Sequence, residues 1–124
     1  MRLDNECIRD ILLYVEENIN QSNCSIKVKK LITYFQPKYD EYTINYHIIQ
    51  LNDANMFKHV VIADDDTPLM ITDLSYEGHC YINNIRDDKV WGKLKDMSKD
   101  LASVSLSVLV DKAPDVIKYF LSKS

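Results

Sequence analysis

Lys58-His59-Val60-Val61-Ile62-Ala63-Asp64-Asp65-Asp66-Thr67-Pro68-Leu69-Met70-Ile71-Thr72-Asp73-Leu74 is the stretch from which the fold is read. Two apolar runs, His59 to Ile62 and Leu69 to Thr72, flank Asp64-Asp65-Asp66-Thr67-Pro68. Aspartate side chains bond to their own backbone in turns, and proline fixes φ, so the middle is turn chemistry and the whole reads as a β-hairpin.

The residues before the hairpin form helices. Asp40 is an N-cap with Glu41 in the first turn. Ile44, Ile48 and Leu51 make the buried stripe of that helix, while Thr43, Asn45, Tyr46 and Gln50 point away from it. Asn55 suits a left-handed C-cap, after which Met56 and Phe57 fold back onto the core. Upstream, Ser25 to Val28 alternates like a short strand, and Lys29 to Phe35 reads as a short helix stopped before Pro37. The first helix is the plainest: Asp4 caps it, Ile8, Ile11, Leu12, Val15 and Ile19 share one face, and the polar run Asn20 to Asn23 ends it.

Beyond the hairpin, Ser75 caps a helix from about Tyr76 to Arg86, with Ile82 and Ile85 inward. Asp87 and Asp88 open another, carrying Val90, Trp91, Leu94 and either Met97 or Leu101 on one face. Ser105 opens a last helix, in which Leu106, Leu109, Val110, Ala113, Ile117, Phe120 and Leu121 keep one phase across Pro114; one kinked helix is expected. The order helix, strand, helix, helix, hairpin, helices predicts an α+β, mostly α fold: a winged helix-turn-helix with a β-hairpin wing and additional C-terminal helices. Residues 1–124 read as one domain, with 1–75 as the winged-helix core and 76–124 as a helical extension suited to be a dimerisation arm.

Composition agrees. Only two glycines and three prolines in 124 residues argue against a fold with many hairpins. Hydrophobic residues at 46% and charged residues at 27% are ordinary for a chain with a packed core. Three cysteines, an odd number with no C-x-x-C spacing, suggest free thiols in a reducing cytoplasm. Charged residues from Arg2 to Asp10 interrupt any signal segment, and no apolar run is long enough to span a membrane.

The chemistry-bearing residues are scattered. His79 and Cys80 with Glu77 nearby fall short of the four paired ligands of structural zinc, and Gly78 there reads as a close-packing position against the hairpin. Cys7 and Cys80 look like small buried hydrophobes, and Cys24 lies in a polar loop. No phosphate-binding glycine loop and no nucleophile elbow occurs. Asp64-Asp65-Asp66 lacks the alternation, glycine and terminal glutamate of an EF-hand, and reads as a solvated turn that discourages pairing with other chains. No enzymatic activity, cofactor or metal is expected. Trp91 shares a face with Leu94 and belongs to a core or helix contact, whereas Tyr39, Tyr42 and Tyr46 cluster near the third helix as interface residues.

Several segments resemble one family of small bacterial prophage and phage proteins. They are Met1 to Asp4, Ile8 to Leu13 with Val15 and Glu16, and Tyr42 to His47 with Leu51 and Ala54. The most specific are Ile71 to His79, Ile85 to Asp88 with Val90 and Trp91, and Val104 to Leu109. The family is the domain-of-unknown-function 2513 family. The resemblance implies a winged-helix-like fold, a mobile-element origin in a bacterial host cytoplasm and no assigned enzyme activity. It carries over no catalytic or ligand residues. Pro114 departs from a last helix that is uninterrupted in the family.

Charge decides between partners. Residues 1–39 carry six basic and five acidic groups, and residues 76–124 carry eight and seven. Residues 40–75 hold Asp40, Glu41, Asp53, Asp64, Asp65, Asp66 and Asp73 against Lys58 alone. The net charge of −4 therefore arises wholly in the third helix and wing. DNA affinity comes from Lys and Arg on phosphates, and three carboxylates at a wing tip oppose it. Each like-charge pair costs roughly 0.5–1 kcal/mol in water at about 5–8 Å, so three together rival one base contact of about 1–3 kcal/mol. The expectation is a protein partner, such as a host or defence factor, engaged through Tyr42, Asn45, Tyr46, Gln50, Asp64, Asp65 and Asp66. The alternative is a DNA-binding regulator of a mobile element that grips phosphates with Lys27, Lys29, Lys30 and Lys38. A homodimer through the C-terminal helices is compatible with either.

Overall fold

Asp4 accepts hydrogen bonds from the backbone N–H groups of Glu6 and Cys7, and α1 (Asn5–Asn18) starts there. This is seen in a computed structural model that describes residues 1–97. α1 buries Ile8, Ile11, Leu12 and Val15 of the stripe read from the sequence, together with Cys7, while Ile19 is its half-buried C-cap. Asn20 and Asn23 then exchange backbone hydrogen bonds, and Asn20 Oδ1 accepts from Ser22 and Asn23, so the polar run turns the chain.

Next come β1 (Ile26–Lys27) and α2 (Val28–Phe35), which buries Val28 and Leu31. Asp40 Oδ1 accepts from the Thr43 N–H at 2.7 Å and opens α3 (Glu41–Asp53). Asn55 has φ 61°, the left-handed conformation expected of it, and Met56 and Phe57 return to the core. β2 (Val60–Ile62) and β3 (Pro68–Ile71) form the hairpin, with Ala63 and Thr67 bonded across the turn and Asp66 at φ 66°.

The sheet order is β1-β3-β2, all antiparallel. Its register follows the side-chain period of two. Ile26, Ile71 and Val60 lie side by side across the three strands and are buried, while Lys27, Met70 and Val61 line the other face. α4 (Tyr76–Ile85) is capped by Ser75, and α5 (Asp88–Met97) buries Val90, Trp91 and Leu94. Among the described residues the fold is mostly helical α+β, with five helices and this three-stranded sheet. The last helix from Ser105, its kink at Pro114 and the part of the expected dimerisation arm beyond residue 97 lie outside the described residues.

Two polar side chains within the core hold the helices together. His47 accepts the Asp4 N–H at Nε2 (2.8 Å) and donates from Nδ1 to the Thr43 carbonyl (2.8 Å). That pattern fixes the tautomer and pins the start of α1 to α3. Arg9 donates to the Ile85 and Arg86 carbonyls at the end of α4 and to Asp88 at the start of α5.

Gly78 makes the close approach read for it, to the Met56 carbonyl just before the hairpin and to the Leu74 side chain at the hairpin's end. One reading needs correction. Cys80 is exposed rather than buried, because α4 turns Gly78, Tyr81, Ile82 and Ile85 inward and leaves position 80 on the outer face. Cys7 is buried and Cys24 exposed. Burial, then the nearby Asp4 and Asp10 carboxylates, pushes the Cys7 thiol up to about 12. A mildly alkaline titration with a chromogenic disulfide reagent is therefore expected to count two fast thiols in the native chain and a third only in denaturant. Three fast native thiols would contradict this packing.

Candidate functional site

The first half of α3 and the turn end of the hairpin meet across a cleft of about 230 Å³. Val28 and Ile32 of α2 and Pro68, Leu69 and Met70 of β3 give it a mostly apolar lining. Lys27 and Lys29 also line it on the β1–α2 side, with Glu41 and Asn45 on the α3 side. The parts converge because β1 runs straight into α2 while pairing with β3, which places the start of α2 beside the hairpin.

The residues expected to bind a partner divide around this cleft. Asn45 lines it, and its Oδ1 is buried with no hydrogen-bond partner among the described residues. Tyr42, one turn earlier, is 73% exposed. Tyr46 is half-buried; its hydroxyl lies 3.5 Å from the Met1 carbonyl and its ring stands edge-on to His47. Gln50 is half-buried farther along α3 and is not part of the cleft. Asp64, Asp65 and Asp66 are exposed on the turn that leads into the cleft wall. The Thr67 hydrogen bond holds the Asp65 carboxyl below the usual carboxylate range, as the Thr43 N–H does for Asp40.

The acidic segment is therefore less uniform than its sequence. Asp53 ends α3, and Asp73 lies 3.8 Å from His79 beside α4, at the end of the hairpin away from its turn. Asp40, Glu41, Asp64, Asp65 and Asp66 remain on the cleft side and make no ion pair among the described residues. The basic cluster is likewise divided. Lys27, Lys29 and Lys30 make no ion pair among the described residues, and Lys27 and Lys30 also line a more polar hollow of about 240 Å³ beside α1. Lys38 instead sits on Asp10 at 2.8 Å. Tyr39 donates to the same carboxylate at 2.7 Å and is buried, which removes it from the tyrosine cluster.

The structure adds residues that the sequence reading passed over. Val61, Ile62 and Leu69 are exposed on the hairpin, Leu69 to 47%. Val61 faces outward by the side-chain period of two, but Ile62 follows it directly and is exposed where the ladder shifts between Val61 and Ile62, which periodicity does not report. Among the described residues no three His, Cys, Asp or Glu side chains group in a way that could hold a metal ion. No helix there is long and apolar enough to cross a membrane.

A family model described as "Hypothetical protein (DUF2513)" matches residues 2–105. No curated protein and no solved structure matches the chain.

Proposed function

We propose, for a chain that belongs to the DUF2513 family, a winged-helix binding module that engages a protein partner and performs no catalysis. The winged-helix reading is supported by the element order and by β1 closing against the hairpin, with α3 in the reading position and the hairpin as the wing. One observation carries the choice of partner. Exposed apolar side chains (Tyr42, Leu69, Val61 and Ile62) and carboxylates with no ion pair among the described residues (Glu41, Asp64, Asp65 and Asp66) share the surface around a mostly apolar cleft. An apolar centre within a polar rim is interface anatomy, whereas a duplex demands cations where these carboxylates stand. A host or defence factor, met in a bacterial cytoplasm by a mobile-element product, is the partner class this reading favours.

The test is affinity capture with the full chain against a triple variant, Asp64→Asn, Asp65→Asn and Asp66→Asn. These side chains are exposed, so the variant keeps its thermal unfolding while capture falls at least tenfold, the effect of about 1.4 kcal/mol. Undiminished capture would remove the wing from the interface. Lys27 and Lys29 beside Asn45, with Lys30 in the neighbouring hollow, make no ion pair among the described residues and favour DNA as the second reading. A mobility-shift titration at low salt separates the two. A salt-dependent shift reversed by Lys29→Glu supports DNA, and its absence supports a protein target.

A further inference from the structure

The cleft between α2, α3 and the hairpin lacks one hydrogen bond. Its lining is apolar apart from Lys27, Lys29, Glu41, Asn45 and Thr67, and Asn45 Oδ1 is buried with no donor among the described residues. Buried acceptors are nearly always satisfied, and one left unpaired costs about as much as the hydrogen bond it lacks. At about 230 Å³ the space is smaller than the roughly 300–1,000 Å³ of sites that enclose a drug-sized molecule, so it fits one large side chain and not a cofactor.

We propose that the cleft receives a tryptophan side chain of the protein partner, whose indole N–H pairs with the Asn45 carboxamide. The inference rests on the protein-binding reading above and names the anchor at its centre. Tryptophan combines a large apolar surface with a ring nitrogen that only donates, the complement of an apolar cleft with one orphan acceptor. A turn of the Asn45 carboxamide about its terminal torsion, which is broad, presents Oδ1 to the ring. Buried aromatic anchors in such pockets dominate interface energies, and nearby unpaired lysines select a carboxylate flanking the anchor. Here Lys27 and Lys29 take that part.

The experiment titrates the full chain with 3-methylindole and with 1-methylindole, which has the same size but no N–H, while backbone amide resonances are followed. The inference predicts shifts confined to the cleft, at residues 27–32, 41–45 and 67–70. It also predicts affinity roughly three- to tenfold higher for 3-methylindole, the worth of one neutral hydrogen bond. In Asn45→Leu, checked for native unfolding, that preference disappears. Equal affinities in the wild-type chain, shifts elsewhere or no shifts would each overturn it. The wing variant Asp64→Asn, Asp65→Asn and Asp66→Asn keeps the 3-methylindole affinity. Loss of the protein-binding reading (capture unaffected by that variant) is thus distinct from loss of the tryptophan site.

Discussion

Arg9→Met lowers the stability of the chain by about 3–5 kcal/mol, a large share of the roughly 5–15 kcal/mol that holds a domain folded. Arg9 lies on α1 with only 9% of its surface exposed. Its guanidinium donates to the carbonyls of Ile85 (3.0 Å) and Arg86 (2.7 Å). These are carbonyls of the last turn of α4, which has no intrahelical donors for them. Hydrogen bonds from a charged donor contribute about 1.5–3 kcal/mol each, and methionine keeps the apolar stem while removing both. The contact to Asp88 adds little, because that carboxylate is 95% exposed and screened by water. The guanidinium also lies 5.5 Å from the centre of the Trp91 ring, so α1, α4 and α5 all meet at this side chain. Arg9→Lys recovers only part of the loss, since one ammonium cannot reproduce the planar fork. Urea unfolding measures the effect, and a loss below about 1 kcal/mol would contradict the role assigned to the two carbonyls.

Gly78→Ala is expected to cost about 2–4 kcal/mol, although alanine is the better helix former by about 1 kcal/mol. A Cβ at position 78 would stand 2.2 Å from the Met56 carbonyl oxygen. That oxygen cannot simply withdraw, because it accepts the Ser75 N–H at 2.9 Å, and Ser75 Oγ in turn caps α4 through the Gly78 N–H at 3.0 Å. Relieving the clash therefore breaks the cap or parts α4 from the end of α3. Gly92→Ala is the control. Gly92 lies inside α5 with nothing within 4 Å of an added Cβ, and propensity alone predicts a gain of about 0.5–1 kcal/mol. Opposite signs in thermal unfolding are the expected result; a stabilised Gly78→Ala would refute the close approach.

Local signals in the sequence were read well because their causes are local. Asp4, Asp40 and Ser75 cap the helices assigned to them, Asn55 takes the left-handed conformation, and the Asp64 to Pro68 turn closes a hairpin. Each depends on bonds within a few residues. What escaped depends on partners far along the chain. Arg9 carries no local sign of its role, because its acceptors lie some 76 residues away. His47 pairs with the Asp4 N–H, and Tyr39 and Lys38 with Asp10, across loops that no periodicity reports. The alternation from Ser25 to Val28 marks β1, but the pairing with β3 that sets the cleft is made far along the chain.

The same distinction applies to the site. The acidic excess of residues 40–75 was visible as a count, but only the fold separates Asp53 and Asp73 from the carboxylates on the cleft side. Asn45 reads as a polar residue of α3 that points away from the buried stripe, whereas the fold buries its Oδ1 with no partner among the described residues. The apolar hairpin positions Val61, Ile62 and Leu69 complete a surface that charge alone described as merely acidic.

The most direct measurement places a benzophenone amino acid at Tyr42 in one chain and at Tyr76 in another, followed by irradiation in living cells. Both side chains are well exposed, 73% and 80%, but Tyr42 stands on the α3 side of the cleft and Tyr76 at the start of α4. The expected result is an adduct from position 42 alone that resists nuclease, is digested by protease and is lost when Asp64, Asp65 and Asp66 become asparagine. A nuclease-sensitive adduct at position 42, or a protein adduct from position 76 only, would contradict it.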